Sequence, residues 1–146
     1  RAELRYAFYV GNLVSELQRN SIVPQFLARD PELIGALETG DYSRSTLRLL
    51  TLVGEIGAAQ ILLFDRDGRV VAATDRNRLG ESRRGEGYVT QAQRSNDTVF
   101  TTARRATGSF AFIYSRRVTA GPDTLGVIAV EVDLAKIERS WAGSQD

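Results

Sequence analysis

Residues Leu62–Asn77 read LLFDRDGRVVAATDRN: two apolar runs folded back on each other around Asp67-Gly68, with a polar stretch behind them. The runs extend to Ala59–Asp65 and Arg69–Thr74, short, apolar and strand-like. Asp-Gly tolerates positive φ at both central positions, so the pattern predicts a hairpin closed by a type I′ turn. Downstream, Asp75 to Gly87 is polar and glycine-containing, hence a loop, and Gly87 to Ser95 reads as a short helix. Three more strands are predicted at Thr98–Arg104, Ser109–Val118 and Thr124–Val132, punctuated by Thr107-Gly108 and Gly121-Pro122-Asp123. Leu134 to Trp141 reads as a closing amphipathic helix.

Upstream of the hairpin the period is helical. Tyr6, Val10, Leu13 and Leu17 follow 4-3-4 spacing, and Ala7 and Val14 widen the stripe. The stripe is expected to pack on the sheet, although Val14 and its neighbours also suit a dimer. Pro24 lacks a backbone donor and crowds the carbonyl of Asn20, which predicts a break near Asn20-Ser21. Asp30 is a natural N-cap, Pro31 suits a first helical turn, and Gly40 is the expected stop. A further helix follows Ser43, with Leu47, Leu50 and Val53 expected inward, and ends near Gly57. The sum is an α+β domain: a five-stranded antiparallel sheet with a long helix on one face. Residues 75–95 cover the other face, the natural place for a pocket.

The chain has 146 residues, enough to bury roughly 70% of its unfolded surface as one domain. It divides into a helical region (1–57), a sheet with its cover (58–133) and a closing helix (134–146). A net charge of +1 gives no reason to expect nucleic acid or an anionic membrane. Cysteine and histidine are both absent. That removes disulfides, thiolate metal sites, a Ser-His-Asp triad and the common haem ligands, so no cofactor is expected. No apolar run approaches the ~20 residues a bilayer requires. The chain opens at Arg1 already in a helical pattern, as a piece of a larger protein would.

Four stretches carry a resemblance. SIVPQFLARDPELIGAL (21–37) is similar to the "lPf-LA-Dp" region of the sensor histidine kinases for four-carbon dicarboxylates. ILLFDRDGRVVAATDRN (61–77) resembles their "iYLlDrdG-tiAASNWn", GYVTQAQ (87–93) their "PYFqqA", and LGVIAVEVDLAKIERSW (125–141) their "LGVvvvKvdl--le--W". The order is kept through nearly the whole chain. The resemblance implies a PAS-like domain of the PDC/Cache type: the periplasmic, ligand-binding part of an inner-membrane kinase. Its long N-terminal helix would follow a membrane segment, and a second module often begins after the tryptophan. It also implies a homodimeric receptor that addresses a cytoplasmic response regulator through a kinase region lying elsewhere.

The same resemblance places the ligand, and there this sequence departs from the family. Glu86 stands where the family's "FRPYF" has its arginine, and Glu131 where "vvKvdl" has its lysine. Tyr88 keeps the family's tyrosine, Phe112 falls on another aromatic position, and Thr107 and Ser115 on polar ones. Each glutamate has two readings. It either pairs with a neighbouring arginine (Arg83, Arg84, Arg104 or Arg117) or recognises a changed ligand. On the first reading a small carboxylate still reaches Arg83 or Arg84. On the second the ligand is an amine, a guanidinium or a hard divalent cation, and not succinate or malate.

For single aromatics such as Phe112 and Tyr114, plain core is the simpler reading. The arginine pairs Arg104-Arg105 and Arg116-Arg117 split across the two faces of strands and form no nucleic-acid stripe. Asp65 and Asp67 are too few for a calcium loop and read as turn residues. A stand-alone enzyme lacks a recognisable nucleophile motif here. The same module would also suit a chemoreceptor, a diguanylate cyclase or a ligand-free dimerisation domain.

Overall fold

The computed structural model describes residues 2–53, 59–104, 108 and 110–133. Four helices come first: α1 (Ala2–Ser21), α2 (Val23–Leu27), α3 (Pro31–Thr39) and α4 (Ser45–Val53). The hairpin β1 (Ala59–Asp65) and β2 (Val70–Ala73) follows, then a 3-10 turn at Arg76–Arg78 and α5 (Gly87–Arg94). Strands β3 (Val99–Arg104), β4 (Phe110–Ala120) and β5 (Asp123–Asp133) complete the sheet. Its order is β2-β1-β5-β4-β3, with every neighbouring pair antiparallel. Thr107 and residues 134–146, where the closing helix was expected, lie outside the described residues.

The strand reading and the helix signals agree with this layout. The helical run breaks between Ser21 and Val23. Asp30 caps α3 by accepting a hydrogen bond from the Leu33 amide at 3.1 Å. Gly40 closes α3 in the left-handed region at φ 78°, its N–H bonded to Ala36 O.

Three expectations are corrected. The β1–β2 turn is not type I′, because Gly68 alone takes positive φ there (81°) and Asp67 does not. The Gly68 amide bonds Asp65 O, the Asp65 amide bonds Arg69 O, and the Asp65 carboxylate accepts from the amides of Asp67 and Arg69. The acid thus organises a longer loop with one left-handed glycine at its end. In α4 the inward residues are Leu49 and the partly buried Leu52, while Leu47 and Leu50 are exposed and the side chain of Val53 lies outside the described residues. The helix is fixed in rotation by Thr46, whose hydroxyl accepts from the Ala73 amide of β2 at 3.2 Å. Finally, the described part of the α1 stripe does not lie on the sheet: Tyr6 is 70% exposed, Val10 and Val14 are exposed, and Leu17 packs against the core, while the side chain of Leu13 lies outside the described residues. Periodicity identifies an apolar face but not its partner.

The sheet is buried on both faces, which is why β5 reads as a continuous apolar run. On the helical face Ile61, Leu63, Ile128, Val130 and Val132 pack against Leu27, Leu33 and Leu49. On the other face Leu62, Phe64, Val127, Ala129 and Ile113 pack against Tyr88, Val89 and Ala92 of α5. Alternation therefore assigns the buried residues of β1 and β5 to the helices or to the cover, while at the β3–β4 edge Phe100 and Phe110 remain exposed.

Candidate functional site

The cover is held to the hairpin by backbone hydrogen bonds. The Val70 amide bonds Glu81 O, the Gly80 amide Val70 O, and the Arg83 amide Gly68 O, each at 2.8–2.9 Å. Gly68 is needed twice here. Its φ is positive, and a Cβ on it would stand 2.8 Å from Arg84 Cα. Gly68→Ala is expected to cost about 2 kcal/mol or more, from left-handed strain plus collision with the cover. An unchanged urea midpoint would contradict this.

That clamp delivers Arg83 to Tyr88. Arg83 Nη1 donates to Tyr88 Oη at 2.8 Å, and Nη2 to Glu81 Oε1 at 2.9 Å. Tyr88 sits in the first turn of α5, its ring edge-on to Phe64 at 6.0 Å. Burial pushes its phenol above the ordinary value, against the opposing pull of the Arg83 charge and hydrogen bond. From the sheet below, the Ser115 hydroxyl donates to Tyr88 O at 2.8 Å and anchors the first turn of α5. Glu81, which the sequence reading passed over, fixes Arg83; its only sequence signal is an acid two residues before an arginine.

Glu131 lies on this same face of β5, in step with Val127 and Ala129, and is only 5% exposed. It is engaged in a polar interaction of its own. Strand register places it opposite Gln60 of β1 on one side and Ile113 of β4 on the other. Ile113 is in turn opposite Thr101 of β3. One row across the covered face therefore reads Gln60, Glu131, Ile113, Thr101. Gln60 and Thr101 were not singled out from sequence, although alternation with Leu62 and with Val99 marks both as inward.

The other expected site residues are not brought together with these. Glu86 is exposed at the N-cap of α5 and makes no capping bond, so it does not face the covered sheet with Glu131. Of the two glutamates, only Glu131 lies on the covered face. Phe112 lies on the helical face, stacked with Phe100 at 5.8 Å, because it is an odd number of residues from Ser115. Arg84 lines a cleft of about 340 Å³ between α5 and the hairpin loop, with Arg66, Asp67 and Gln93. Thr107 lies outside the described residues. Of the other arginines weighed as partners, Arg117 donates to Thr124 and Asn96, and Arg104 sits over the Phe110 ring. Among the described residues no three acidic side chains converge as a metal site.

A sheet of this order, with helices on one face and a loop-and-helix cover clamped to the other, defines a sensory module of the PDC/Cache class. The chain belongs to the dCache_3 family, the double sensory domain of two-component sensor kinases, which matches residues 1–139. It is similar to the sensor domain of the Vibrio cholerae histidine kinase DctB, at 23% identity and TM-score 0.78, over 96% of this chain and 57% of that one. The Escherichia coli DcuS sensor domain matches at 16% identity and TM-score 0.64, over 90% of this chain and 95% of its own. The ligand-binding domain of the Campylobacter jejuni chemoreceptor Tlp3, solved with L-valine, matches at 15% and TM-score 0.65, over 94% and 60%. No curated protein matches significantly. Domains of this family are extracytoplasmic sensors of membrane receptors, and no described helix is long and apolar enough to cross a membrane.

Proposed function

We propose that this chain is the ligand-sensing module, facing the periplasm, of a transmembrane two-component histidine kinase. In this reading it is non-catalytic. Residues 1–57 form its helical region, 58–133 its binding sheet and 134–146 the connection onward. The receptor works as a homodimer and addresses a response regulator through its kinase region. Ligand binding under the cover biases two packings of α1, and that shift is the signal. The family assignment to sensor kinases supports the kinase context over a chemoreceptor. Membranes carrying the full-length parent should incorporate phosphate from ATP as acid-labile phosphohistidine, and their failure to do so would overturn that context.

The ligand is a small molecule with a cationic or hydrogen-donating group, and not a four-carbon dicarboxylate. A single observation carries this: Glu131 is a buried acid in the middle of the covered face. Beside its existing interaction, an ionised Glu131 offers acceptor positions and no donor, so an ammonium or amide donor suits it and a ligand carboxylate does not. A ligand at about 100 times its Kd adds ~2.7 kcal/mol and raises Tm by several degrees. Succinate and malate are therefore expected to leave the melting temperature unchanged at millimolar concentration. A rise of several degrees with succinate would end this reading.

A further inference from the structure

The cleft between α5 and the β1–β2 loop measures about 340 Å³, near the lower end of the roughly 300–1,000 Å³ usual for small-molecule sites. Arg66 and Asp67 line it from the loop, Arg84 from the cover and Gln93 from α5. Two hydrogen bonds and one close approach fix its frame. The Arg83 amide donates to Gly68 O at 2.8 Å, and Gln93 Nε2 donates to Arg66 O at 3.2 Å. Gly68 lies so near the Arg84 backbone that a Cβ on it would stand 2.8 Å from Arg84 Cα. Neighbouring arginines are engaged: Arg69 donates to Gly80 O, Arg78 pairs with Glu81, and Arg83 binds Glu81 and Tyr88. The guanidinium groups of Arg66 and Arg84 differ. Among the described residues they make no hydrogen bond or ion pair, although the acid Asp67 lines the same cleft.

We propose that this cleft binds a compact dianion of the phosphate type, held between Arg66 of the hairpin loop and Arg84 of the cover. The inference goes beyond the ligand-sensing reading and does not depend on what binds under the cover. Two guanidinium groups against one carboxylate leave a net charge of +1 in the cleft. Long side chains lining so small a space converge on one group, and each guanidinium presents paired N–H donors that match two phosphate oxygens. A singly charged carboxylate satisfies one fork and leaves the other open. Asp67 acts in the opposite sense, repelling the anion and keeping the site weak. Arg66, Asp67 and Arg84 are all exposed, so water and salt screen the attraction, and the Kd is on the order of 1 mM. The bound anion joins the hairpin loop to the cover by side chains, where the Arg83–Gly68 bond already joins them by backbone. It is therefore a tether on the segment that carries Arg83 to Tyr88.

The test is an NMR titration of the isotope-labelled chain with inorganic phosphate, glycerol 3-phosphate and acetate at constant ionic strength, repeated on Arg66→Gln, Arg84→Gln and Asp67→Asn. Both phosphates are expected to move the amide signals of Gly68, Arg84 and Gln93 together, with acetate about tenfold weaker. Each arginine substitution should weaken phosphate about tenfold, and Asp67→Asn should tighten it about threefold. The three side chains are exposed, so the variants should melt with the wild type. Phosphate should also slow hydrogen exchange at the Arg83 and Val70 amides, which bond Gly68 O and Glu81 O, in the wild type and not in Arg84→Gln. Whichever phosphate binds more tightly names the source, free ion or ester, and either order supports the site. Equal affinity in the wild type and both arginine variants, or shifts scattered over other surface arginines, would mean an adventitious ion only and overturn the proposal. Acetate as tight as phosphate would overturn the dianion preference, and unchanged exchange on phosphate binding would overturn the tether. Failure to saturate at about ten times the expected Kd would overturn the site itself.

Discussion

Gly126→Ala is expected to lose about 4 kcal/mol of stability, the largest effect of a methyl group added at any of the described glycines, out of a typical total of ~5–15. Gly126 lies in β5, buried, opposite Asp65 of β1 and Val118 of β4. A Cβ there would run into the backbone carbonyl of Phe64 and stand 3.2 Å from both terminal methyls of Leu37. Overpacking a core ordinarily costs about 1–3 kcal/mol because flexible side chains give way. Here the obstacle is a carbonyl of a central strand, and moving it disturbs the β1–β5 ladder and the seat of α3 together. At a typical urea slope of ~2 kcal/mol per molar, the unfolding midpoint should fall by about 2 M. Gly35→Ala is the matched control. Gly35 is inside α3 with open space where its Cβ would go, so the same change is expected to be neutral or to add about 0.5–1 kcal/mol. Equal midpoints for the two variants would refute the close approach of β5, β1 and α3.

The strands were legible because a sheet buried on both faces concentrates β-branched and aliphatic residues into short runs, and because glycines stand at the turns. Caps were legible for a local reason: Asp30 and Gly40 act within three or four residues of themselves. What failed was non-local. Nothing in the Tyr6–Val14 spacing says what the stripe meets, and the rotation of α4 depends on a hydroxyl meeting a strand amide twenty-seven residues away. The hairpin turn was misread because Asp65, just outside the Asp-Gly pair, captures two amides and lengthens the loop. At the site, alternation already separated Phe112 from Ser115, yet aligning both to a relative's motif put them in one pocket. Glu86 went astray likewise, since alignment fixes a position in a helix cap without fixing which way the side chain points. Gln60 and Thr101 were not singled out because alternation marks each as inward without saying what lies beside it on the neighbouring strands. Only the register that lines them up with Glu131 gives them meaning.

Asp30→Ala is expected to cost about 3 kcal/mol, and the loss should depend on pH. The Asp30 side chain is 7% exposed and serves two elements at once. Its carboxylate accepts from the Leu33 amide at 3.1 Å, capping α3, and from Arg48 Nη2 at 2.7 Å and Nε at 3.2 Å, tying α3 to α4. Alanine removes the cap, worth about 1 kcal/mol, and orphans Arg48. Arg48 is 29% exposed and keeps Glu32 at 3.1 Å, so its share falls below the 3–5 kcal/mol typical of a fully buried broken pair. Burial alone works to raise the Asp30 pKa and is the largest single influence. The Arg48 hydrogen bond and charge together with the Leu33 amide outweigh it, leaving the value below the reference 3.8. The folded value lies below the unfolded one, so the stabilisation is complete above about pH 4 and drains away as pH falls through the folded value. Asp30→Asn keeps an acceptor for the cap and removes the titration. The wild-type advantage over Asp30→Asn, measured by urea unfolding, should therefore be constant from pH 7 to 5 and shrink steadily below 4. Parallel curves down to pH 2.5 would show that the Arg48 fork contributes nothing through charge. The α3–α4 pair lies across the sheet from Tyr88 and Glu131, so Asp30→Asn should lower stability without disturbing the cover.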